Sequence, residues 1–460
     1  MASIARCRAA LKSEPLDQSE FVRGYLSKDD LTKAAAAVKY RWRERVWTPA
    51  QTFWTFLLQV LHPGWVCRKA VAHVLTQHEA AGTPLNASAD PSAYTQGRKR
   101  LPLSLFRLGL RKVGETLERK VGEDSRWCGR RVWVVDGASC SMADTPELQE
   151  SFGQPPGQKQ GCGFPVAKLV AMFCWASGAV LDVAVGPYRS NELALWRQLW
   201  DQLQAGDVVL GDRFYGAYAD LAQLQARACD AVFRLRGARA RTIDFRRGQR
   251  LGKNDRLFTW TRAPSCPRTL TAEEFAQLPP TLTVRILRFD TRRKGFRSRR
   301  ILVVTTLLDA KDFPWEKIAA LYRDRWTVEL RLRDVKTTLQ MEILRGQSED
   351  IVRKEIYLHF LAYNLIRALM WQAAHEHGQP LHRLSFAGTL QHFQAVAPHL
   401  CLCVGTPEAA RLYRLLLSWI ARDRVPERPD RVEPRALKRR PKPYDLLTRP
   451  RKEMQKVLSR

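Results

Sequence analysis

The chain reads as an α/β protein: a mixed sheet flanked by helices, with helical regions before and after it. Three observations predict this. Helical periodicity dominates up to about residue 128, whereas short β-branched runs alternate with amphipathic stretches from residue 131 onward. The length of 460 residues, 45% of them hydrophobic, suits two to four domains with substantial cores.

The first region, 1–128, contains WTPAQTFWTFLLQVL and LSLFRLGLRKVGETLERKV, separated by a polar stretch near residues 82–92. Lys39, Arg41, Arg43 and Arg45, then Arg98, Lys99 and Arg100, crowd basic charge around these helices. Residues 129–236 follow the order β-β-β-α-β-α-β: RVWVVDGA ends its apolar run at Asp136, a hairpin turns at Ser177-Gly178, and DVVLGD ends at Asp212. Ligands of α/β sheets gather at the carboxyl ends of strands, which makes these two aspartates candidates. Residues 237–308 form a β-rich insertion with the runs LFTWTR, LTVRILRFDT and RILVVTTLL. Its basic turn, RRKGFRSRR, contains Arg292, Arg293, Lys294, Arg297, Arg299 and Arg300, a phosphate-contacting candidate. Residues 309–375 complete the core with one helix from about Trp315 to Leu339 and another from about Asp350 to Ala374. The last region, 376–460, begins helical and ends in a flexible basic tail, with 14 Lys+Arg against six Asp+Glu from Ala421.

Charge and composition narrow the function. Lys and Arg total 76 against 46 Asp and Glu, a formal net charge of +30, which attracts polyanions and makes nucleic acid the leading partner. The longest nearly apolar stretch, Leu169–Leu181, is bounded by Lys168 and Asp182 and is too short to span a membrane. The N-terminal sequence lacks a secretory apolar region, so a cytoplasmic location is expected. The ten cysteines include no C-x-x-C pair and read as ordinary buried thiols. All nine histidines lie at or before His78 or at or after His359, so chemistry housed between those positions proceeds without imidazole.

What remains is carboxylate chemistry. Asp136 and Asp212 on adjacent strands would reach a shared cation, and a third acid is expected from a helix against the sheet. In an uninterrupted helix, at about 100° per residue, Tyr322, Arg325, Glu329 and Lys336 fall within about 60° of arc. Three carboxylates can hold two divalent ions about 4 Å apart, activating a water or 3′-hydroxyl and stabilising a departing phosphodiester oxygen. Oxygen ligands favour Mg²⁺, with Mn²⁺ as a substitute. Arg325 and Lys336 suit phosphate, and Tyr322 suits a phosphate oxygen or a base.

The spacing Tyr322-x2-Arg325-x3-Glu329-x6-Lys336, with Asp136 before Gly137 and Asp212 before Arg213-Phe214, resembles the DDE transposases of bacterial insertion sequences, of the insertion-sequence-four type. The resemblance covers roughly residues 130–375. It implies a ribonuclease-H-like core with a β-rich insertion, Asp136, Asp212 and Glu329 as catalytic metal-binding acids, and Tyr322, Arg325 and Lys336 as DNA contacts. It implies a transposase that binds terminal inverted repeats, cleaves DNA with two divalent ions, probed as Mg²⁺ or Mn²⁺, and joins 3′-hydroxyl ends to target DNA. A homodimer in a synaptic complex on double-stranded DNA, nucleoid-associated when bound, follows from cutting two ends together. Competing readings are a metal-dependent nuclease on the same fold and a non-mobile DNA-binding protein derived from a transposase. Trp260 and Phe296 are candidates by location alone for holding a flipped base, with a core role favoured for Trp260.

Overall fold

The structure is a computed structural model that describes residues 24–42, 45–267, 269–290, 300–403, 406–426 and 445–458. Among the described residues the first elements are the helices α1 (Lys28–Ala37), α2 (Pro49–Leu61), α3 (Cys67–Ala80), α4 (Ser92–Arg100) and α5 (Leu103–Val121). The middle of the chain runs β1 (Val132–Ser141), α6 (Pro146–Ser151), β2 (Val166–Cys174), β3 (Val180–Pro187), α7 (Glu192–Arg197), β4 (Val208–Gly211), α8 (Tyr218–Ala226) and β5 (Asp230–Arg234). The insertion supplies β6 (Gln249–Gly252), β7 (Asp255–Thr261), β8 (Thr281–Asp290) and β9 (Arg300–Thr305). Then follow α9 (Trp315–Asp324), α10 (Trp326–Arg333), α11 (Glu349–Glu376), α12 (Phe386–Leu402), α13 (Pro407–Arg422) and α14 (Arg451–Leu458).

The chain divides into two compact units. One comprises residues 1–122, 177–182 and 331–426 and, apart from the turn and first residues of β3 at 177–182, is mainly helical in its described parts. Its α2 starts on a Thr48 cap, whose Oγ1 accepts from the Gln51 amide at 3.2 Å, followed by Pro49 where a missing N–H costs nothing. Phe53 of α2 stacks on Phe106 of α5 with centroids 5.1 Å apart. The 28-residue α11 is buried along most of its length, so its sequence is apolar on nearly every side. Asn364 of α11 mimics a neighbouring strand: its Oδ1 accepts from the Val180 amide and its Nδ2 donates to the Val180 carbonyl, both at 2.7 Å. At Gly114 of α5 a Cβ would lie 2.5 Å from that same Val180 carbonyl, so the close approach requires glycine.

The second unit comprises residues 123–176, 183–330 and 427–460. Among the described residues the mixed sheet has nine strands, most neighbours antiparallel, in the order β3-β2-β1-β4-β5-β9-β8-β7-β6. β1 pairs antiparallel with β2 and parallel with β4, and β4 runs parallel to β5. The predicted hairpin turn appears at Gly178, which takes φ +77°, a conformation open to glycine without cost.

The insertion's predicted strands form and extend the core sheet, because β9 pairs antiparallel with β5. Arg285 fastens this region: the buried guanidinium pairs with Asp255 at 2.5 Å and also donates to the carbonyls of Leu307, Asp309 and Phe313. The single helix foreseen from Trp315 to Leu339 is instead interrupted. Its hydrogen bonding breaks at Arg325, and residues Asp334–Thr338 widen into a π-turn, with the Leu339 amide donating to the Asp334 carbonyl at 3.1 Å. Of nine described cysteines only Cys140, Cys174 and Cys229 are buried, and Cys266 is exposed. Arg292, Arg293, Lys294, Phe296, Arg297 and Arg299, and much of the basic tail, lie outside the described residues, while Arg300 opens β9 at the exposed surface.

Candidate active site

Parallel pairing of β1 with β4 matches Val132 with Val208, Trp133 with Val209 and Val134 with Leu210. Extended two residues, that register sets Asp136 level with Asp212, just past the end of β4. Both strands are apolar and buried up to that point, and each leaves the interior at its aspartate. β1 does not end at Asp136 as its apolar run suggested but continues to Ser141, still paired with β2; there Asp136 Oδ1 accepts from the Gly137 amide at 3.0 Å, whereas Asp212 sits in the turn after β4 and its Oδ1 accepts from the Phe214 amide at 2.6 Å. Arg236 holds the loop after Asp212 by donating to the carbonyls of Arg213 and Phe214 at 3.2 and 2.7 Å.

The helical segment supplies the other groups. Arg325 is buried at the break between α9 and α10, and its Nη2 donates to Glu329 Oε1 at 3.2 Å. Glu329 itself is exposed. Burial alone would weaken the guanidinium's hold on its proton, but Tyr322, Asp136 and Glu329 hold its pKa above the ordinary value. Tyr322 is only 3% exposed and its ring lies against Phe289, centroids 5.9 Å apart. Burial raises its pKa, with Arg325 and Arg234 opposing.

Asp136 reports the electrostatics of the group. Burial pushes its pKa up to about 7, Arg325 and the Gly137 amide pull it down, and Asp212 and Glu329 push it up again. The three acids therefore share one field with Arg325 among them. Among the described residues no three His, Cys, Asp or Glu side chains are already drawn close enough to hold one metal ion together. The donor set nonetheless fits a hard divalent cation: an all-oxygen trio, one member desolvated and raised by its own neighbours.

Lys336 lies in the π-turn, on residues that group with the helical unit, so the ideal-helix angle drawn through it does not apply. Trp260 is buried, with the Arg239 guanidinium 4.1 Å from its ring centre, in agreement with a core role. Sequence reasoning missed Glu192 and Tyr215. The Tyr215 hydroxyl donates to Glu192 Oε1 at 2.6 Å, and Tyr215's pKa is driven far up by burial and by Glu192, Asp136 and Asp212. Tyr215 was visible beside Asp212 in D-R-F-Y, but Glu192 carried no signal beyond the Asn191 helix cap.

Among the described residues no helix is long and apolar enough to cross a membrane. A family model described as "Transposase DDE domain" matches residues 127–365. The chain is 29% identical over 370 residues to "Transposase InsG for insertion sequence element IS4" of Escherichia coli (strain K12), covering 77% of this chain and 78% of that protein. It is 38% identical over 88 residues to "Probable transposase for insertion sequence element IS5377" of Geobacillus stearothermophilus, covering 19% of this chain and 22% of that protein. A cryo-EM structure of the piggyBac transposase synaptic complex with hairpin DNA aligns with a TM-score of 0.44 at 10% identity, covering 91% of this chain and 87% of that one. The matched domain spans more than half of the chain and encloses Asp136, Asp212 and Glu329: this protein belongs to the DDE transposases, and it is a DNA transposase of the insertion-sequence-four type.

Proposed function

We propose that the enzyme binds the terminal inverted repeats of its element, cleaves there, and joins the exposed 3′-hydroxyls to target DNA by transesterification. The observation that carries this reading is the convergence of Asp136, Asp212 and Glu329 on one field around Arg325. The strand order β3-β2-β1-β4-β5, with β1 antiparallel to β2 and parallel to β4, supports a ribonuclease-H-like core.

In this reading Asp136, Asp212 and Glu329 hold two divalent ions, Mg²⁺ by preference. Bound there, the ions lower the pKa of the attacking hydroxyl and stabilise the leaving oxygen. The protein's own groups prepare the site. Asp136, desolvated and near neutrality, gives up its proton readily once positive charge arrives. Arg325 orders Glu329 through its Nη2 and brings positive charge to where a phosphate would bind. Tyr322, buried behind Arg325, orders that guanidinium and takes the place foreseen for a phosphate contact. Lys336 and the insertion's basic residues, Arg300 among them, grip backbone phosphates.

In the helical unit a groove of about 1070 Å³ is lined by Tyr40, Arg41, Trp42, Arg45, Trp47 and Arg100, a basic and aromatic surface suited to the element's end. Pairing two ends calls for a homodimer acting on nucleoid DNA in the cytoplasm. The test incubates wild type and Asp136→Asn with DNA flanking the gene, in Mg²⁺ or a chelator, and maps the new 3′-hydroxyl ends. Nicks at paired inverted repeats, made by wild type with metal alone and followed by joining to a second duplex, establish the reaction. Cleavage without joining would replace it with a nuclease.

A further inference from the structure

Each of the two central aspartates has a glycine beside it, and both glycines are covered by one hydrogen-bonded pair. Gly137 follows Asp136, and a Cβ there would lie 2.6 Å from Glu192 Oε1 and 2.7 Å from its Cδ. The Glu192 carboxyl therefore rests on the backbone of β1, and a side chain at 137 would push it off. Gly211 precedes Asp212, and a Cβ there would lie 3.0 Å from both the Tyr215 and Phe233 rings. Between the two covers runs the Tyr215 hydroxyl to Glu192 bond of 2.6 Å. The same short helix grips Tyr215 a second time, because the Trp196 ring meets it edge-on at 6.2 Å. Tyr215 is fully buried, so its hydroxyl has no water to turn to if Glu192 is removed.

We propose that Glu192 is a positioning residue of the catalytic centre: seated on Gly137 and held by Tyr215, it locks the middle of β1, which bears Asp136, to the end of β4, which Asp212 follows. Position, rather than charge, is its contribution. The inference rests on the transposase reading of the three acids, since it is their carboxylates that would hold the ions. Groups that orient metal ligands in this way are worth about 10- to 100-fold in metal affinity or activity.

The experiment compares Glu192→Ala, Glu192→Gln, Tyr215→Phe and Gly137→Ala in the full chain. It reads thermal melting, end binding, single-turnover end cleavage, and Mn²⁺ affinity by electron paramagnetic resonance without DNA. Glu192→Ala and Gly137→Ala, the latter by displacing the carboxyl, are expected to slow cleavage by about 10- to 100-fold and to weaken Mn²⁺ binding by a similar factor. Tyr215→Phe should move both in the same direction by less, and end binding should stay within about twofold. Glu192→Gln keeps the acceptor and the shape and should stay within about threefold of wild type. Wild-type cleavage and Mn²⁺ affinity in folded Glu192→Ala would overturn the inference. So would Glu192→Gln impaired as severely as Glu192→Ala, because charge would then be the operative property. Should wild type itself fail to cleave at any metal concentration, the transposase reading falls while the Mn²⁺ titration still decides the role of Glu192.

Discussion

Asp136 on β1 and Asp212, just past the end of the parallel β4, fall level when the register that pairs Val134 with Leu210 is extended by two residues. Parallel neighbours at one level present side chains to one face of the sheet, so two carboxylates 76 positions apart in sequence enter one field. Asp136 bears most of the consequence, with its pKa pushed up to about 7 from an ordinary 3.8.

That shift fixes a stability profile for the metal-free protein. Between about pH 4 and pH 7 the unfolded chain releases the Asp136 proton while the folded chain keeps it, so stability falls as pH rises through this window and the loss is complete above pH 7. Asp136→Asn has nothing to titrate there. Urea unfolding in a chelator should show the variant gaining on wild type from pH 4 to pH 8, by at most about 4 kcal/mol for a shift near three units. Adding Mg²⁺ at pH 8 should close the gap by stabilising wild type alone. Parallel pH profiles for the two proteins would show that Asp136 is not held near neutrality.

Arg325 is a buried cation that acts on both Asp136 and Glu329. Arg325→Lys keeps a charge but loses the planar fork that reaches Glu329, and lysine is no substitute where geometry matters. Cleavage should fall by about 10- to 100-fold while end binding measured by fluorescence anisotropy changes by less than about threefold. Equal losses in binding and cleavage would make Arg325 a DNA contact first.

Much of this site was legible in the sequence because its determinants are local or periodic. Asp136 and Asp212 end apolar runs whose strand character is written in Val132–Val135 and Val208–Leu210, and the Tyr322, Arg325, Glu329 spacing needs only a helix around it. What escaped depends on three-dimensional approach. Glu192 matters through its contact with Gly137, 55 positions away, and no periodicity encodes that contact. Lys336 was placed by an ideal helix, whereas the helix is broken at Arg325 and Lys336 itself lies within the π-turn. The insertion's strands were readable from their β-branched runs, but their fusion to the core sheet rests on the β5 and β9 edges meeting, a long-range choice.

The Arg285 and Asp255 pair tests whether that fusion supports the site. Both are buried, and Arg285 also donates to the carbonyls of Leu307, Asp309 and Phe313, in the segment leading into α9. Asp255→Ala strands a guanidinium in the interior, a change that costs about 3 to 5 kcal/mol when a buried pair is broken. Thermal unfolding should drop accordingly, and hydrogen exchange should speed up at residues 307–324 before it does in α2. Unchanged protection in that segment would separate the insertion's stability from that of the helix bearing Tyr322.

Lys336 gives the sharpest test of how DNA is held, because its effect has a signature other than lost affinity. It is half-buried in the π-turn and seven residues beyond Glu329, so its charge serves a phosphate away from the reacting one. Each phosphate neutralised by a cation releases condensed counterions, so the logarithm of the binding constant falls with the logarithm of salt at a slope of about 0.9 per contact on duplex DNA. Lys336→Ala should weaken binding to the element's end and to unrelated duplex by the same factor and reduce that slope by about one unit, with cleavage of saturated complexes within a few-fold of wild type. An unchanged slope over 50 to 200 mM salt would remove Lys336 from the phosphate contacts, and a large cleavage defect at saturation would move it into the catalytic centre.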